Sequence, residues 1–405
     1  MADLLRIVLI VLVLLFLIKK KWDLGLVLFL GALLTAVAFN LDFPVLAQNI
    51  LEALISTETL SLIGIIILVL YLGNLLQLKG NFRKMVDSLK NLIPEPRLIL
   101  ALPSSFIGLL PMIGGALMSA PIVEEAGHRW KLTPAWKTFL NYWFRHIWEY
   151  CWPLYVNVIL ASAILQIPIK RIASIQFPFT VLAAILGLII LFKHVHRLPS
   201  EKDDQRTLNS LLILFVSIWP IFLVIVLIFV FKFSMLLSLA VTSLLTQFFF
   251  RMSLHERMRI IWKSISVKTL FLIASVMVFK RILEVSGALS SVTNVFQPEG
   301  ISAYILLFTV PFFLGLLTGV NHAYVGISFP ILLPIFGLEN PDMVLVLFAY
   351  VSGFVGILLS PAHLCLVLTL DFFKADLRDV YKILLWPSVV IFIAAFLVLL
   401  FLRIL

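Results

Sequence analysis

Long apolar runs alternate with short basic knots along the whole chain. A helix needs about 20 apolar residues to cross the ~30 Å hydrocarbon layer of a bilayer. Runs at 4–18, 23–39, 58–78, 173–192, 207–231, 233–250, 267–285 and 383–402 each predict one such crossing. The runs at 133–166 and 340–373 are too long for one span, and each has a proline near its middle, Pro153 and Pro361. Proline removes an amide donor and breaks the helical ladder. Each run therefore predicts a broken span made of two half-helices.

Two further segments, 97–127 and 302–337, are apolar but interrupted by Gly and Pro (Pro111, Gly114, Gly115; Gly319, Gly326). Each reads as a hairpin, and the basic residues decide where it starts. Basic clusters at 19–21, 79–97, 129–137, 193–206, 251–268 and 374–382 hold most of the 31 Lys and Arg. The positive-inside rule makes those segments cytoplasmic. The hairpin at 97–127 has basic residues at both ends, so it dips in from the cytoplasm. That at 302–337 has none and dips in from outside. Arg6 precedes the first run, Lys19, Lys20 and Lys21 follow it, and no small-residue cleavage site appears. The run is expected to be a retained span, not a signal peptide. Both termini are then outside.

The two halves align. GLLPMIGGALMSAP (108–121) matches GLLTGVNHAYVGISFP (315–330) with two residues inserted, and Pro121 to Pro153 spans 32 residues where Pro330 to Pro361 spans 31. The expected fold is an all-α polytopic membrane protein of two repeats, each with five crossings, a re-entrant hairpin and a broken helix. Five is odd, so the second copy is inverted. The first repeat is placed at 1–195, a cytoplasmic linker at 196–206, and the second repeat at 207–405. Inverted repeats with matched interruptions mark secondary transporters. Irregular backbone at membrane depth survives only where protein or a wet cavity shelters it.

Composition excludes most alternatives. The chain is 62% hydrophobic and 13% charged, with a mean hydropathy of +1.12, against roughly 45–50% and about 25% in soluble domains. No soluble domain of useful size remains. The net charge of +10 is accounted for by orientation in the membrane, so nucleic-acid binding is not expected. Cys151 and Cys365 lie in apolar surroundings and read as core fillers, not as a disulfide framework.

The candidate chemistry centres on NYWFRHIWEYCWP (141–153). Arg145 lies eight residues beyond Lys137, about 12 Å deep at ~1.5 Å per residue. Arg145 and Glu149 are four apart, and His146 and Glu149 three apart, which puts them on one helix face. An ionisable residue in mid-membrane costs about 2.5–3.5 kcal/mol by insertion scales and normally faces a bundle interior or wet pathway. One reading is an internal ion pair that fixes packing. The other is a transport site, with Arg145 attracting an anionic group and Glu149 or His146 carrying a proton. Asn141 opens the same stretch. Trp143, Trp148 and Trp152 read as packing or interface residues rather than a cation cage. Ser119 in the first hairpin and Ser328 in the second occupy matched places. Asn321 and His322 lie at the second tip, as solute contacts or as capping groups. Ser360 and His363 flank Pro361, as ligands or as donors to freed carbonyls. Asp371 reads as interfacial, and Lys280, Arg281 and Glu284 as a snorkelling group.

The whole plan resembles the ion transporter superfamily of citrate, dicarboxylate, gluconate and arsenite carriers. NYWFRHIWE (141–149) and SPAHLCLVLT (360–369) resemble one uncharacterised branch of it, domain-of-unknown-function family 401. The resemblance implies paired scaffold helices, elevator-type motion and a homodimer. Sodium-coupled relatives carry Ser-Asn-Thr motifs at the hairpin tips. Here Ser119-Ala120-Pro121 and Ser328-Phe329-Pro330 stand in those places, so neither sodium coupling nor a dicarboxylate is implied.

The expected function is secondary active transport of a small anionic solute, coupled to protons before sodium, in a prokaryotic inner or plasma membrane, with no cofactor. An intramembrane metal-dependent enzyme using Glu149, His146, His322 and His363 is one alternative, and a passive channel another. No HExxH, Gly-x-Ser-x-Gly or Walker A sequence occurs.

Overall fold

The computed structural model describes residues 2–78, 88, 92, 95–109, 111–112, 115–197, 208–289 and 300–404. Gly114, most of the expected linker at 196–206, and Lys79, Arg83, Lys84 and Lys90 lie outside these residues. Every regular element among the described residues is helical. The first half contains α1 (Ala2–Lys19), α2 (Leu24–Ala38), α3 (Phe43–Ile55), α4 (Thr57–Leu78), α5 (Leu102–Ile107), α6 (Gly115–Arg129), α7 (Pro134–His146), α8 (Val156–Leu165) and α9 (Ile169–His194). The second contains α10 (Leu208–Phe229), α11 (Met235–Phe249), α12 (Leu254–Ser264), α13 (Val267–Val285), α14 (Ile301–Thr318), α15 (Asn321–Phe336), α16 (Met343–Leu358), α17 (Leu364–Phe373) and α18 (Leu377–Ile404). Short 3-10 turns at Pro96–Leu100 and Ile147–Tyr150 precede α5 and follow α7.

Among the described residues, five helices are long and apolar enough to cross a membrane: α4, α9, α10, α14 and α18. The pair α12 and α13, bent by 48°, makes a sixth candidate. Exposed Leu, Phe and Val side chains along α1, α10 and α18 suit contact with lipid. The described residues are thus all-helical in their regular elements, and their long apolar helices are compatible with an integral membrane protein.

The predicted interruptions at Pro153 and Pro361 are real. α7 stops at His146 and α8 begins at Val156; α16 stops at Leu358 and α17 begins at Leu364. The segment 302–337 differs in detail from expectation. It breaks at Gly319, whose φ of +62° favours glycine, but Gly326 lies inside α15. Its first arm, α14, has 18 residues and could cross a membrane alone. The amphipathic helices α3 and α12 fall in stretches where no helix was expected. α12 starts with a capping box between Ser253 and Glu256, which satisfies two orphan amides.

Among the described residues, a similar order of helices runs through 2–197 and 208–404, although α5 has 6 residues where α14 has 18. Left-handed residues other than glycine recur with it. Lys21 and Lys232 (φ 61° and 57°) precede α2 and α11, Asn40 and Arg251 (φ 53° and 47°) follow them, and Gln166 and Lys374 (φ 53° and 54°) follow α8 and α17. Packing between helices recurs too. α2 packs on α13 as α11 packs on α4, and α6 on α17 as α15 on α8. Within each half, α5 packs on α7 and α14 on α16. A Cβ on Gly108 would overlap the carbonyl oxygen of Arg145, and one on Gly315 that of Gly353. These glycines let each hairpin press its backbone against the neighbouring helix before its break. Tyr142, Trp143, Tyr150, Tyr324 and Tyr350 are fully buried.

Candidate functional site

Helix α7 carries Asn141, Tyr142, Arg145 and His146 into the protein interior, and its ladder ends where Ile147–Tyr150 tightens into a 3-10 turn. The carbonyls freed around both breaks find side-chain donors, as buried backbone must. Tyr350 Oη donates to the Glu149 carbonyl at 2.8 Å and Asn157 Nδ2 to the same oxygen at 3.2 Å. Tyr142 Oη donates to Leu358 O at 3.2 Å, and Tyr381 Oη to Leu359 O at 2.8 Å. Each half thus closes part of the other's break.

Arg145 is 2% exposed. Its guanidinium donates to Met112 O at 2.9 Å and to Tyr155 Oη at 3.4 Å; Tyr155 Oη in turn donates to Gly108 O at 2.6 Å. Nε has no hydrogen-bond partner among the described residues. The ion pair between Arg145 and Glu149 that one reading of the spacing offers does not form. An i,i+4 pair needs a continuous α-helix, and the tighter 3-10 turn after His146 swings Glu149 off the Arg145 face.

Glu149 instead turns toward the second half. Asn321 Nδ2, at the start of α15, donates to its carboxylate, and Glu149 Oε1 lies 3.8 Å from His146 Nε2. His146 faces His363 across the two breaks, with 3.0 Å between their Nε2 atoms. The Cys365 thiol completes a buried group: one ligand atom from each of His146, His363 and Cys365 lies within 4.8 Å of the others.

Asn141 organises a third network one to two turns before His146. Its Oδ1 accepts from Ser119 Oγ at 2.6 Å and Ser104 Oγ at 3.0 Å, while Nδ2 donates to Ala116 O at 2.9 Å and reaches Thr369 Oγ1 at 3.5 Å. This ties the first hairpin, α7 and α17 together.

The structure therefore gathers Asn141, Ser119, Arg145, His146, Glu149, Asn321 and His363 around the breaks. The Ser360 hydroxyl sits there too, donating to the backbone carbonyl of Leu316 at 2.7 Å. Ser328 stands apart and bonds Tyr324 O within its own helix at 2.6 Å. His322 makes no hydrogen bond to the cluster. Trp143 and Trp148 serve packing, donating to Ala183 O at 2.9 Å and Ser105 O at 3.0 Å. Asp371 pairs with Lys374 at 2.8 Å on the surface. Lys280 and Arg281 do not pair along their own helix. They reach Glu58 at 3.4 Å and Glu52 at 3.0 Å, around a polar cavity of about 280 Å³ that Glu284 also lines.

Sequence reasoning missed Ser104, Tyr155, Thr369 and the grouping of Cys365 with the histidines. The only local signal for the last was His363-x-Cys365, which begins two residues after Pro361.

Residues 2–402 match the family described as protein of unknown function (DUF401). The chain belongs to that family. No curated protein matches it. The match spans both halves and hence every residue of the cluster, so the site is carried within the family's own length.

Proposed function

We propose that the protein is a secondary active transporter of a small anionic solute, coupled to protons rather than sodium. The observation that carries this reading is Arg145: a guanidinium buried beside a helix break, with an orphan Nε and no carboxylate in ion-pair contact among the described residues. A buried unpaired cation is costly, and an anionic solute would supply the missing charge. Glu149 or His146 carries the coupling proton.

The recurring helix order and the exchanged packing between halves support two inverted repeats of five crossings, related to the ion transporter superfamily. In this reading 97–127 and 302–337 are re-entrant, and the hairpins move with the broken spans as an elevator against α2, α4, α11 and α13. The protein sits in a prokaryotic inner or plasma membrane as a homodimer, with both termini outside.

The test is uptake by proteoliposomes from a panel of organic and inorganic anions under imposed proton or sodium gradients. Gradient-driven uptake that is lost in Arg145→Ala supports the reading. Voltage-driven current far above carrier turnover, or uptake unchanged in Arg145→Ala, overturns it.

A further inference from the structure

The two histidines at the meeting of the breaks have their tautomers fixed by backbone. His146 Nδ1 lies 2.5 Å from Tyr142 O, and His363 Nδ1 lies 2.6 Å from Gly319 O. A carbonyl oxygen only accepts, so both Nδ1 atoms carry hydrogen and donate. In neutral rings both Nε2 atoms then hold lone pairs, and these face each other at 3.0 Å. Two lone pairs at that distance repel unless a cation lies between or beside them. A shared proton would meet this need for the two rings alone. A metal ion uses all three groups.

We propose that His146 Nε2, His363 Nε2 and Cys365 Sγ bind a borderline-soft divalent transition metal of the zinc class. Zinc bonds of about 2.0–2.1 Å to nitrogen and about 2.3 Å to sulfur put tetrahedral ligands about 3.3–3.6 Å apart. The imidazoles need only part by a few tenths of an ångström, and the three donors already lie within 4.8 Å of one another. Metal-ligating histidines characteristically donate their other N–H to a carbonyl or carboxylate, and both rings do so here. Three protein ligands leave a fourth position open, with the Glu149 carboxylate 3.8 Å from His146 Nε2. A thiolate and nitrogen donors favour zinc-like ions over magnesium or calcium.

The ion would join the broken helix of one half to that of the other, and through Gly319 to the second hairpin. The proposal refines the transport site by leaving Glu149 as the proton carrier, but it does not require transport. Binding is measured without any gradient, so its failure is distinct from failure of the transport reading.

The probe is Co²⁺ titrated into the purified full chain in detergent after chelator treatment. The expected result is about one equivalent bound, with a thiolate-to-cobalt band in the near ultraviolet. Zn²⁺ should displace it. Cys365→Ser should lose the band, His363→Gln should weaken binding by more than about tenfold, and Cys151→Ser should change neither. Should His363→Gln fail to fold, Zn²⁺ protection of Cys365 from maleimide in the Cys151→Ser chain provides the second readout. Absence of the band in the folded chain, its persistence in Cys365→Ser, or unprotected Cys365 overturns the proposal.

Discussion

The Asn321 amide, at the start of α15, donates to the Glu149 carboxylate in the 3-10 turn after α7. The two residues are 172 positions apart. This one bond connects the second hairpin to the first broken helix at the point where the proposed solute and proton would meet.

Glu149→Gln removes a buried titratable carboxyl that Asn321 and His146 face, and Asn321→Ala removes its donor. A hydrogen bond to a charged group contributes about 1.5–3 kcal/mol. Glu149→Gln should abolish proton-driven uptake while the protein still elutes as a folded species. Asn321→Ala should reduce uptake by about tenfold or more. Initial rates in proteoliposomes at matched protein density measure both.

Arg145→Lys keeps the charge but not the fork. Arg145 spreads its donors over Met112 O and Tyr155 Oη, which one ammonium cannot reproduce. The expected outcome is a KM for the transported anion raised by about tenfold, ~1.4 kcal/mol, with maximal rate less affected. A solute affinity unchanged by Arg145→Lys would place the anion elsewhere.

Gly108→Ala and Gly315→Ala should each destabilise the protein. The added methyl meets backbone carbonyls of Arg145 and Gly353, not flexible side-chain ends. Overpacking of this kind costs about 1–3 kcal/mol. Gly73→Ala, where a Cβ meets nothing within 4 Å, should leave the melting temperature unchanged or raise it. Thermal unfolding in detergent compares the three.

What the sequence disclosed and what it hid follow from the range of the interactions. Pro153 and Pro361 announce their breaks because proline acts on its own backbone. Gly108 and Gly315 could be aligned because the same close approach is required at both places. Arg145 and Glu149 do not share a face as their spacing predicts, since spacing assumes a helix that in fact tightens at Ile147. Cys365 looked like filler until folding brought it to His146, 219 positions away in the chain. The amphipathic α3 was unread because its partner is distant: Asn49 and Glu52 dock on Arg281 at 2.9 Å and 3.0 Å.

At the edge of the first hairpin, Arg97 holds the Glu95 carboxyl below its usual range through a hydrogen bond. Arg97 also donates to Val195 O at 3.3 Å, so the pair fastens the Pro96–Leu100 turn to the end of α9. A depressed carboxyl stabilises the folded form above its unfolded value, about 4.3, and loses that effect as pH falls through the folded value. Acidification below the ordinary carboxyl range should loosen this turn. Hydrogen exchange at the Leu98 and Ala101 amides, corrected for intrinsic rates, should rise there. Glu95→Gln should raise it already at neutral pH.

The exchanged packing, α6 on α17 and α15 on α8, has a genetic consequence. Severed between α9 and α10, neither fragment could assemble the cluster alone, since His146 and Glu149 would be parted from His363, Cys365 and Asn321. Co-expression of the two pieces should restore what each lacks, a complementation in which every surviving protomer is built from both pieces.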